Sequence, residues 1–341
     1  MNNRHNKCIV VRVDGGFERG YGHVYRMRNL VRALQILDVN VFIVSVDEPA
    51  VNEILAEFRD KLILLESKEN EDRIIESILE RFSICSLWIF DILNTENTWV
   101  RFLKSKGINV VSFDDAGEGR LQVDCVINAL AGFNPEKDFI EKNIFNGVDY
   151  LIVSPEIFEL RNSYQIQEEV KIVGITMGGA DTYGVTPQIV NALALKSFQG
   201  KVIINLGPGF RHIEELNQII STCNLDVDVY HSSENLHQLL MQCDLVISNG
   251  SITMLELCSI GIPMIGIANE HDEMFLLKYF AECSACVNMG IHNELSLDIL
   301  AEKINQLSGD FNSRVKYSKN GKTILDGQAL NRIVNMIEDL L

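Results

Sequence analysis

Residues 8–23 read CIVVRVDGGFERGYGH and contain a strand, a glycine-rich loop and the start of a helix in direct succession. The apolar, largely β-branched run Cys8–Val13 predicts a buried strand. Helical periodicity begins near His23, directly after Gly20 and Gly22. Because ligands of open parallel sheets bind at the carboxyl ends of the strands, we expect this loop to line a binding site.

The same alternation of short apolar runs and helical stretches continues along the chain and is typical of βαβ units around a parallel sheet. It restarts after residues 155–168, so we predict an α/β protein of two doubly wound, Rossmann-like domains with a cleft between them. The domains are expected at 1–155 and 156–341. The polar stretch Asn162–Glu169 is the predicted linker, and the last helix is a candidate to pack against the first domain.

Further strands are predicted in both halves. They lie at Val41–Val46, Leu62–Leu65, Leu87–Asp91, Asn109–Phe113, Cys125–Asn128, Tyr150–Val153, Val170–Met177, Val202–Leu206, Val227–Tyr230, Leu245–Ser248 and Met264–Ala268. Thr186-Pro187 predicts a helix start, with threonine as the N-cap and proline at the first helical position.

The charge of the chain excludes some classes of partner. A formal net charge of −17 does not suit a general nucleic-acid binder, which needs clustered cations to neutralise phosphates. A small anionic ligand stays compatible, because glycine loops and helix N-termini bind phosphate without net positive charge. No apolar run approaches the roughly 20 residues that span a bilayer. The N-terminus lacks the features of a signal peptide, so we expect a cytoplasmic protein without stable membrane insertion.

Eight cysteines raise the question of disulfides or metal. Cys8, Cys125, Cys243 and Cys258 lie inside apolar runs, where a thiol acts as a small hydrophobic group. The one C-x-x-C, at 283–286, has no second pair with which to complete a four-ligand site. We expect reduced core cysteines, no metal and no cofactor.

His23 is the candidate catalytic residue of the first half. The positive end of the helix dipole disfavours an imidazolium there and helps to keep the ring neutral, as a general base requires. The alternative is a histidine that only caps or packs at the helix start. The pattern from Gly20 and Gly22 to Arg26 also resembles a dinucleotide fingerprint, but arginine stands where the third glycine belongs and the loop is long. NAD binding is therefore disfavoured.

Residues 247–256, ISNGSITMLE, predict a second ligand site. A strand ends at Ser248, a small polar turn follows at Asn249 and Gly250, and a helix starts at about Ser251. Free N–H groups at a helix start bind phosphate, and the carboxylate of Glu256 suits a ribose diol. The alternative is a capped helix with a solvated glutamate.

Two further loops are weaker candidates. Gly178, Gly179 and Asp181 follow a predicted strand and form a loop of the right size for phosphate, or an ordinary turn between strand and helix. Asp115, after another strand, could lie near a sugar or bind backbone donors of its own turn.

Several of these positions together resemble the UDP-sugar hydrolases of pseudaminic acid biosynthesis, the PseG family. In the first half the similarity lies in R-x-D followed by G-x-G-H-x-x-R, in S-F-D-D at Ser112–Asp115 and in G-x-x-Y at Gly147–Tyr150. In the second half it lies in M-G-G-x-D at Met177–Asp181 and S-N-G-S-x-x-x-x-E at Ser248–Glu256. The similarity extends to SpsG-type spore-coat proteins and, more distantly, to MurG-like glycosyltransferases.

The resemblance implies a GT-B fold in which the C-terminal domain holds most of the UDP. It implies that His23 activates a water, that Glu256 contacts the ribose and that the turn at Asn249–Ser251 holds the pyrophosphate, without a metal. The substrate-binding candidates as a set are Asp14, Gly20, Tyr21, Gly22, Arg26, Asp115, Gly178, Gly179, Asp181, Ser248, Asn249, Gly250, Ser251 and Glu256. The family's usual arginine after G-x-x-Y is Ser154 here.

The first functional hypothesis is therefore an inverting hydrolase that releases UDP from an amino or deoxy sugar, in nonulosonic acid or related surface-glycan synthesis. The alternative is a GT-B glycosyltransferase in surface or spore-coat polysaccharide synthesis, in which His23 deprotonates a sugar hydroxyl instead of water. A third hypothesis, a nucleotide-sugar sensor, gives no use to a histidine at the anomeric carbon. Other enzymes of glycan synthesis are candidate partners.

Overall fold

The computed structural model describes residues 7–16, 20–65, 71–82, 85–129, 143–195, 198–233 and 235–341. The chain divides into two compact units, Met1–Ile152 with Gly327–Leu341, and Val153–Asp326. Each unit is a Rossmann-like domain with its own parallel sheet and helices. The division after Ile152 lies three residues before the boundary expected from the sequence, and the last helix belongs to the first unit.

The first unit has a sheet of seven parallel strands in the order β3-β2-β1-β4-β5-β6-β7. The strand order reverses between β1 and β4, and this reversal opens a crevice at their carboxyl ends. The strands are β1 (Cys8–Val13), β2 (Asn40–Val46), β3 (Leu62–Leu65), β4 (Cys85–Asp91), β5 (Asn109–Phe113), β6 (Cys125–Asn128) and β7 (Asn143–Asn146).

Helices cover both faces of this sheet. The helices of the first unit are α1 (Gly22–Leu34), α2 (Pro49–Ile54), α3 (Glu71–Arg81), α4 (Asn97–Ser105) and α13 (Ala329–Leu340). One face packs on α1 and α13, as the shared buried cluster of Val11, Met27 and Ile333 shows. Gly15 lets α1 approach β1, because a Cβ there would lie 2.7 Å from Val24 Cγ2.

The second unit has a sheet of six parallel strands in the order β10-β9-β8-β11-β12-β13. Its strand order reverses between β8 and β11. The strands are β8 (Ile172–Thr176), β9 (Lys201–Leu206), β10 (Asp226–His231), β11 (Leu245–Asn249), β12 (Met264–Ala268) and β13 (Val287–Ile291). The helices are α5 (Ile157–Leu160), α6 (Val185–Leu195), α7 (Ile213–Thr222), α8 (Leu236–Leu240), α9 (Ile252–Ile260), α10 (His271–Glu282), α11 (Leu297–Gly309) and α12 (Phe311–Ile324).

Three expectations from the sequence are wrong. Tyr150–Val153 is not a strand, because Val148–Tyr150 forms a 3-10 turn beyond β7. Thr186 is not the N-cap of α6: the carboxylate of Asp181 accepts hydrogen bonds from Val185 N and Thr186 N, and the first helical residue is Val185, two residues before Pro187. Asn162–Glu169 is not a linker, since it lies within the second unit and the Tyr164 hydroxyl donates to Cys243 O at 3.0 Å.

Across the described ranges, no helix combines the length and the apolar character needed to cross a membrane.

Candidate functional site

In the first unit, β4 ends beside the start of α1 and brings His23 to Asp91. His23 Nδ1 lies 2.7 Å from Asp91 Oδ1. The Asp91 side chain is fully buried, whereas 32% of the His23 side chain is exposed. The ring is therefore fixed on one side by a buried carboxylate and accessible on the other.

Arg26, one turn after His23 on α1, completes this group. Its Nε donates to Asp91 Oδ2 at 2.9 Å and its Nη2 donates to Asp91 Oδ1 at 2.6 Å. Its Nη1 donates to Asp114, the residue that follows β5. Burial acts to raise the pKa of Asp91, but the positive charge of Arg26 and the hydrogen bonds from His23 and Arg26 outweigh it and lower that pKa to about 2. Asp91 is therefore a carboxylate at any physiological pH.

The ionised Asp91 selects the tautomer of His23. A carboxylate only accepts hydrogen bonds, so Nδ1 carries the hydrogen that it donates to Asp91. The lone pair of a neutral ring is then on Nε2. An oriented imidazole backed by a carboxylate can remove a proton from a hydroxyl or a water, and the carboxylate stabilises the imidazolium that forms.

Asp91 was absent from the candidates derived from the sequence. Its position in the sheet would have identified Asp91 as a candidate. It is an acidic residue at the end of β4, the strand next to β1, where the strand order reverses.

The remaining candidate residues of the first loop stabilise the loop backbone and its contact with the end of β2. Asp14 accepts from both Arg12 Nη1, at 2.6 Å, and Arg12 Nη2, at 2.9 Å, and also from Val46 N. Gly20 has φ +71° and faces Gly16 across an isolated bridge, a conformation that favours glycine. Tyr21 is buried at the N-terminus of α1, and Gly22 is the first helical residue.

Asp115 occupies a closed backbone pocket. Its carboxylate accepts from Thr95 N at 3.0 Å, from Gly117 N at 2.8 Å and from the Thr95 hydroxyl. Burial raises the pKa of this carboxyl against those hydrogen bonds. These contacts agree with the alternative in which Asp115 binds backbone donors of its own turn. A contact of Asp115 with a sugar stays a prediction.

In the second unit, the turn after β11 packs against α10. Ser251 is the N-cap residue of α9, and its hydroxyl donates to Asn249 Oδ1 at 2.9 Å. Asn249 Nδ2 donates to Glu273 Oε1 at 2.6 Å. Gly250 needs to be glycine, because a Cβ there would lie 2.8 Å from the Glu273 carbonyl oxygen. The predicted turn residues therefore form one cluster with Glu273, which the sequence did not single out.

The loop after β8 reaches the same cluster. Gly178 has φ +76°, and a Cβ on it would lie 3.1 Å from Asn249 Oδ1. A Cβ on Gly207, after β9, would lie 2.4 Å from the carbonyl oxygens of Gly178 and Gly179. The glycines let these loops meet, and Asp181 caps α6 beneath them.

Glu256, on α9, is buried in a network of its own. It accepts from Ser154 N at 2.7 Å, and His237 Nε2 donates to its other oxygen at 2.8 Å. His237 Nδ1 donates to Glu156 Oε1 at 2.7 Å. Burial acts to lower the pKa of His237, but Glu256 and then Glu156 raise it to about 9. A histidine bound on both nitrogens by carboxylates is an imidazolium that fixes the Glu256 side chain. No residue spacing in the sequence indicates this pair.

In the described part of the chain, no group of three His, Cys, Asp or Glu side chains is arranged to hold a metal ion. Cys286 is buried and Cys283 is partly exposed, and neither forms a disulfide.

Known proteins resemble this chain in sequence and in fold. Residues 172–325 match the glycosyltransferase family 28 C-terminal domain. The spore coat polysaccharide biosynthesis protein SpsG of Bacillus subtilis (strain 168) is 23% identical over 338 residues, which cover 97% of this chain and 98% of SpsG. The UDP-N-acetylglucosamine–N-acetylmuramyl-(pentapeptide) pyrophosphoryl-undecaprenol N-acetylglucosamine transferase of Campylobacter jejuni is 26% identical over 174 residues, 49% of this chain and 50% of that enzyme.

Among solved structures, MurG of Acinetobacter baumannii has a TM-score of 0.70 at 14% sequence identity, covering 98% of this chain and 99% of MurG. These matches support the transferase-like part of the predicted resemblance, and hydrolysis stays a prediction. The chain thus has the GT-B fold of two Rossmann-like domains, the second of which resembles the C-terminal domain of glycosyltransferase family 28.

Proposed function

We propose that this protein is a glycosyltransferase that takes a sugar from a UDP-sugar donor, in the synthesis of a surface or spore-coat polysaccharide. The observation that carries the proposal is the His23–Asp91 pair at the carboxyl end of β4, in a chain whose second unit resembles the C-terminal domain of glycosyltransferase family 28. The similarity to SpsG over nearly the whole chain supports the polysaccharide context.

The oriented histidine supplies the base for an inverting transfer. His23 Nε2 takes the proton of an acceptor hydroxyl while the hydroxyl oxygen bonds to the anomeric carbon. The bond from that carbon to the phosphate oxygen breaks, and UDP leaves with the electron pair. Asp91 stabilises the imidazolium, and base catalysis of this kind contributes about 10²- to 10⁴-fold to the rate.

The second unit has the features needed for the leaving group. The first turn of α9 has backbone N–H groups without helical acceptors, and the helix dipole favours negative charge at this end. The glycines of the loop after β8 bring a second backbone segment to the same turn. Such amides stabilise the charge that develops on a diphosphate as the bond breaks. Transfer further requires that the nucleotide held by this unit and His23 act on one substrate molecule.

Glu256 is the proposed ribose ligand. Its carboxylate is already oriented by Ser154 N and His237, and its remaining lone pairs can accept from the ribose diol. The C. jejuni relative, whose name specifies a UDP-sugar donor, supports uridine as the nucleoside.

Hydrolysis is the second candidate function. The exposed third of the His23 side chain is accessible to water, and the same base could activate a water instead of a sugar hydroxyl. The products would then be UDP and free sugar with no acceptor consumed.

UDP release from UDP-linked amino sugars, with and without an acceptor glycan, separates the two candidates. Release that depends on the acceptor, and that is abolished in His23→Ala while UDP still binds, supports transfer. Equal release without acceptor supports hydrolysis. Full turnover by His23→Ala would refute both mechanisms.

A further inference from the structure

Glu273 is a partly buried acid that contacts the turn at the start of α9. It lies in the first turn of α10, and its carboxylate accepts from Asn269 N at 2.6 Å and from Asn249 Nδ2 at 2.6 Å. Ser251 Oγ is one hydrogen bond further on, 2.9 Å from Asn249 Oδ1. Glu273, Asn249 and Ser251 therefore form a continuous chain from the interior of the unit to the helix start.

The ionised state of Glu273 fixes the direction of this chain. A carboxylate only accepts, so Asn249 must present its NH₂ group to Glu273 and its oxygen to Ser251. The hydroxyl hydrogen of Ser251 is then used by Asn249. In this arrangement Ser251 presents only lone pairs to a ligand, and lone pairs repel the oxygens of a phosphate.

A protonated Glu273 reverses every bond of the chain. Its O–H donates to the Asn249 oxygen once the amide group has turned over, and the NH₂ group donates to Ser251 Oγ. The Ser251 hydrogen becomes available to a phosphate oxygen. The reversal exchanges only the two similar atoms of one amide, which Gly178 borders without a side chain.

We propose that Glu273 is a positioning residue that takes up one proton when the second unit binds a nucleoside diphosphate and, through Asn249, turns the Ser251 hydroxyl towards the phosphate. This inference rests on the proposed function, which places the diphosphate at the Ser251 turn. The step balances as one proton taken from solvent per nucleotide bound.

The surroundings of Glu273 suit a change of protonation. The titratable groups that face it are Glu270, at the N-cap of α10, and Tyr183, from the loop after β8, whose hydroxyl donates to Glu270 at 2.8 Å. Burial raises the pKa of Glu273 to about 7, against the hydrogen bonds from Asn269 and Asn249. The Ser248 hydroxyl, fully buried one residue before Asn249, has no hydrogen-bond partner among the described residues.

The test is calorimetric titration of the full chain with UDP between pH 6.0 and 8.5, for the wild type and for Glu273→Gln. Glutamine copies the protonated acid, because its NH₂ group donates to the Asn249 oxygen and its own oxygen accepts from Asn269 N. The ratio of the wild-type Kd to the variant Kd should rise about 30-fold between pH 6.0 and 8.5, if the free acid has a pKa of about 7 and the bound form keeps its proton. The ionisation of UDP itself cancels in this ratio.

Titrations in two buffers of different ionisation enthalpy count the protons. Wild type should take up about one proton more than Glu273→Gln at pH 8.0, and Ser251→Ala, which lacks the end of the relay, should lose that excess. Tight binding of UDP with a flat Kd ratio and no excess proton would overturn the relay while leaving the proposed function intact. Failure of the wild type to bind UDP at any pH would overturn the proposed function together with the relay.

Discussion

Replacement of Asp91 by asparagine tests the catalytic arrangement most directly. The carboxylate accepts three hydrogen bonds, one from His23 Nδ1 and two from Arg26. Asparagine can place its NH₂ group only where one of these donors already points. If the NH₂ group faces His23, the ring must give up the hydrogen on Nδ1 and carry it on Nε2, so the base is lost. If it faces Arg26 Nε, a buried guanidinium donor loses its acceptor.

The structure sets separate magnitudes for rate and for stability. Loss of the oriented base should lower kcat by about 10²- to 10⁴-fold. Removal of one charge from a buried ion pair costs about 3–5 kcal/mol when no other partner exists. Arg26 keeps Asp114, so we expect an unfolding free energy lower by about 3 kcal/mol, near the bottom of that range.

Asp114→Asn is the matched control, because it removes the other carboxylate of Arg26 and leaves the His23–Asp91 hydrogen bond in place. Both variants should lose similar stability in urea unfolding, with a kcat loss in Asp114→Asn of no more than about tenfold. UDP release is measured under saturating donor at a temperature where both variants are folded. Equal losses of kcat in the two variants would show that Asp91 acts only by holding Arg26, and would refute its role in orienting His23.

Three further predictions concern the second unit. His237→Gln should lower the unfolding free energy by about 2 kcal/mol at pH 7. The folded-state pKa of His237 is raised to about 9, so the stability that its ion pair contributes is complete at pH 6 and is lost as the pH rises through 9. If urea unfolding shows the variant to be destabilised equally at pH 10, the ion pair is contradicted. Gly250→Ala should cost about 1–3 kcal/mol of stability by the clash with Glu273, whereas Gly309→Ala, whose Cβ meets no atom within 4 Å, should be nearly neutral by thermal unfolding. Glu256→Ala should weaken UDP binding by about 1–3 kcal/mol in calorimetric titration, and an unchanged Kd would remove Glu256 from the nucleotide site.

Much of the fold was predictable because strands buried on both faces of a parallel sheet are near-continuous apolar runs. Cys8–Val13, Asn109–Phe113 and Met264–Ala268 have the bounds expected from such runs. The two strands that the sequence did not reveal, β7 and β13, lie at sheet edges and contain asparagine or glycine. Edge strands pair on one side only, so their composition is less constrained.

Helix α12 was also absent from the prediction, and its glycine shows why. Gly321 weakens a helix when the sequence is considered alone. In the structure, a Cβ at this position would lie 2.4 Å from the Cys258 carbonyl oxygen of α9. The residue that obscured the helix in the sequence is the one that lets the helix pack.

The candidate site was predictable where its residues are neighbours in the chain. His23 and Arg26 share one helix turn, and Asn249 to Ser251 form one turn, so local spacing indicated both. Asp91 is 68 residues from His23, and only the strand order brings them together. His237 and Glu273 join Glu256 and Asn249 in the same way, through packing that no local pattern records.

The charges of the first-unit group favour a base over an acid for His23. Asp91 and Asp114 carry two negative charges against the single positive charge of Arg26, so the group has a net charge of −1 while His23 is neutral. A proton taken by His23 Nε2 makes the group neutral, whereas a proton given up by an imidazolium restores buried negative charge. The Asp91 carboxylate, 2.7 Å from His23 Nδ1, stabilises the imidazolium that forms when an attacking hydroxyl gives its proton to Nε2. The contact that orients the ring is therefore also the contact that stabilises the product of the proton transfer.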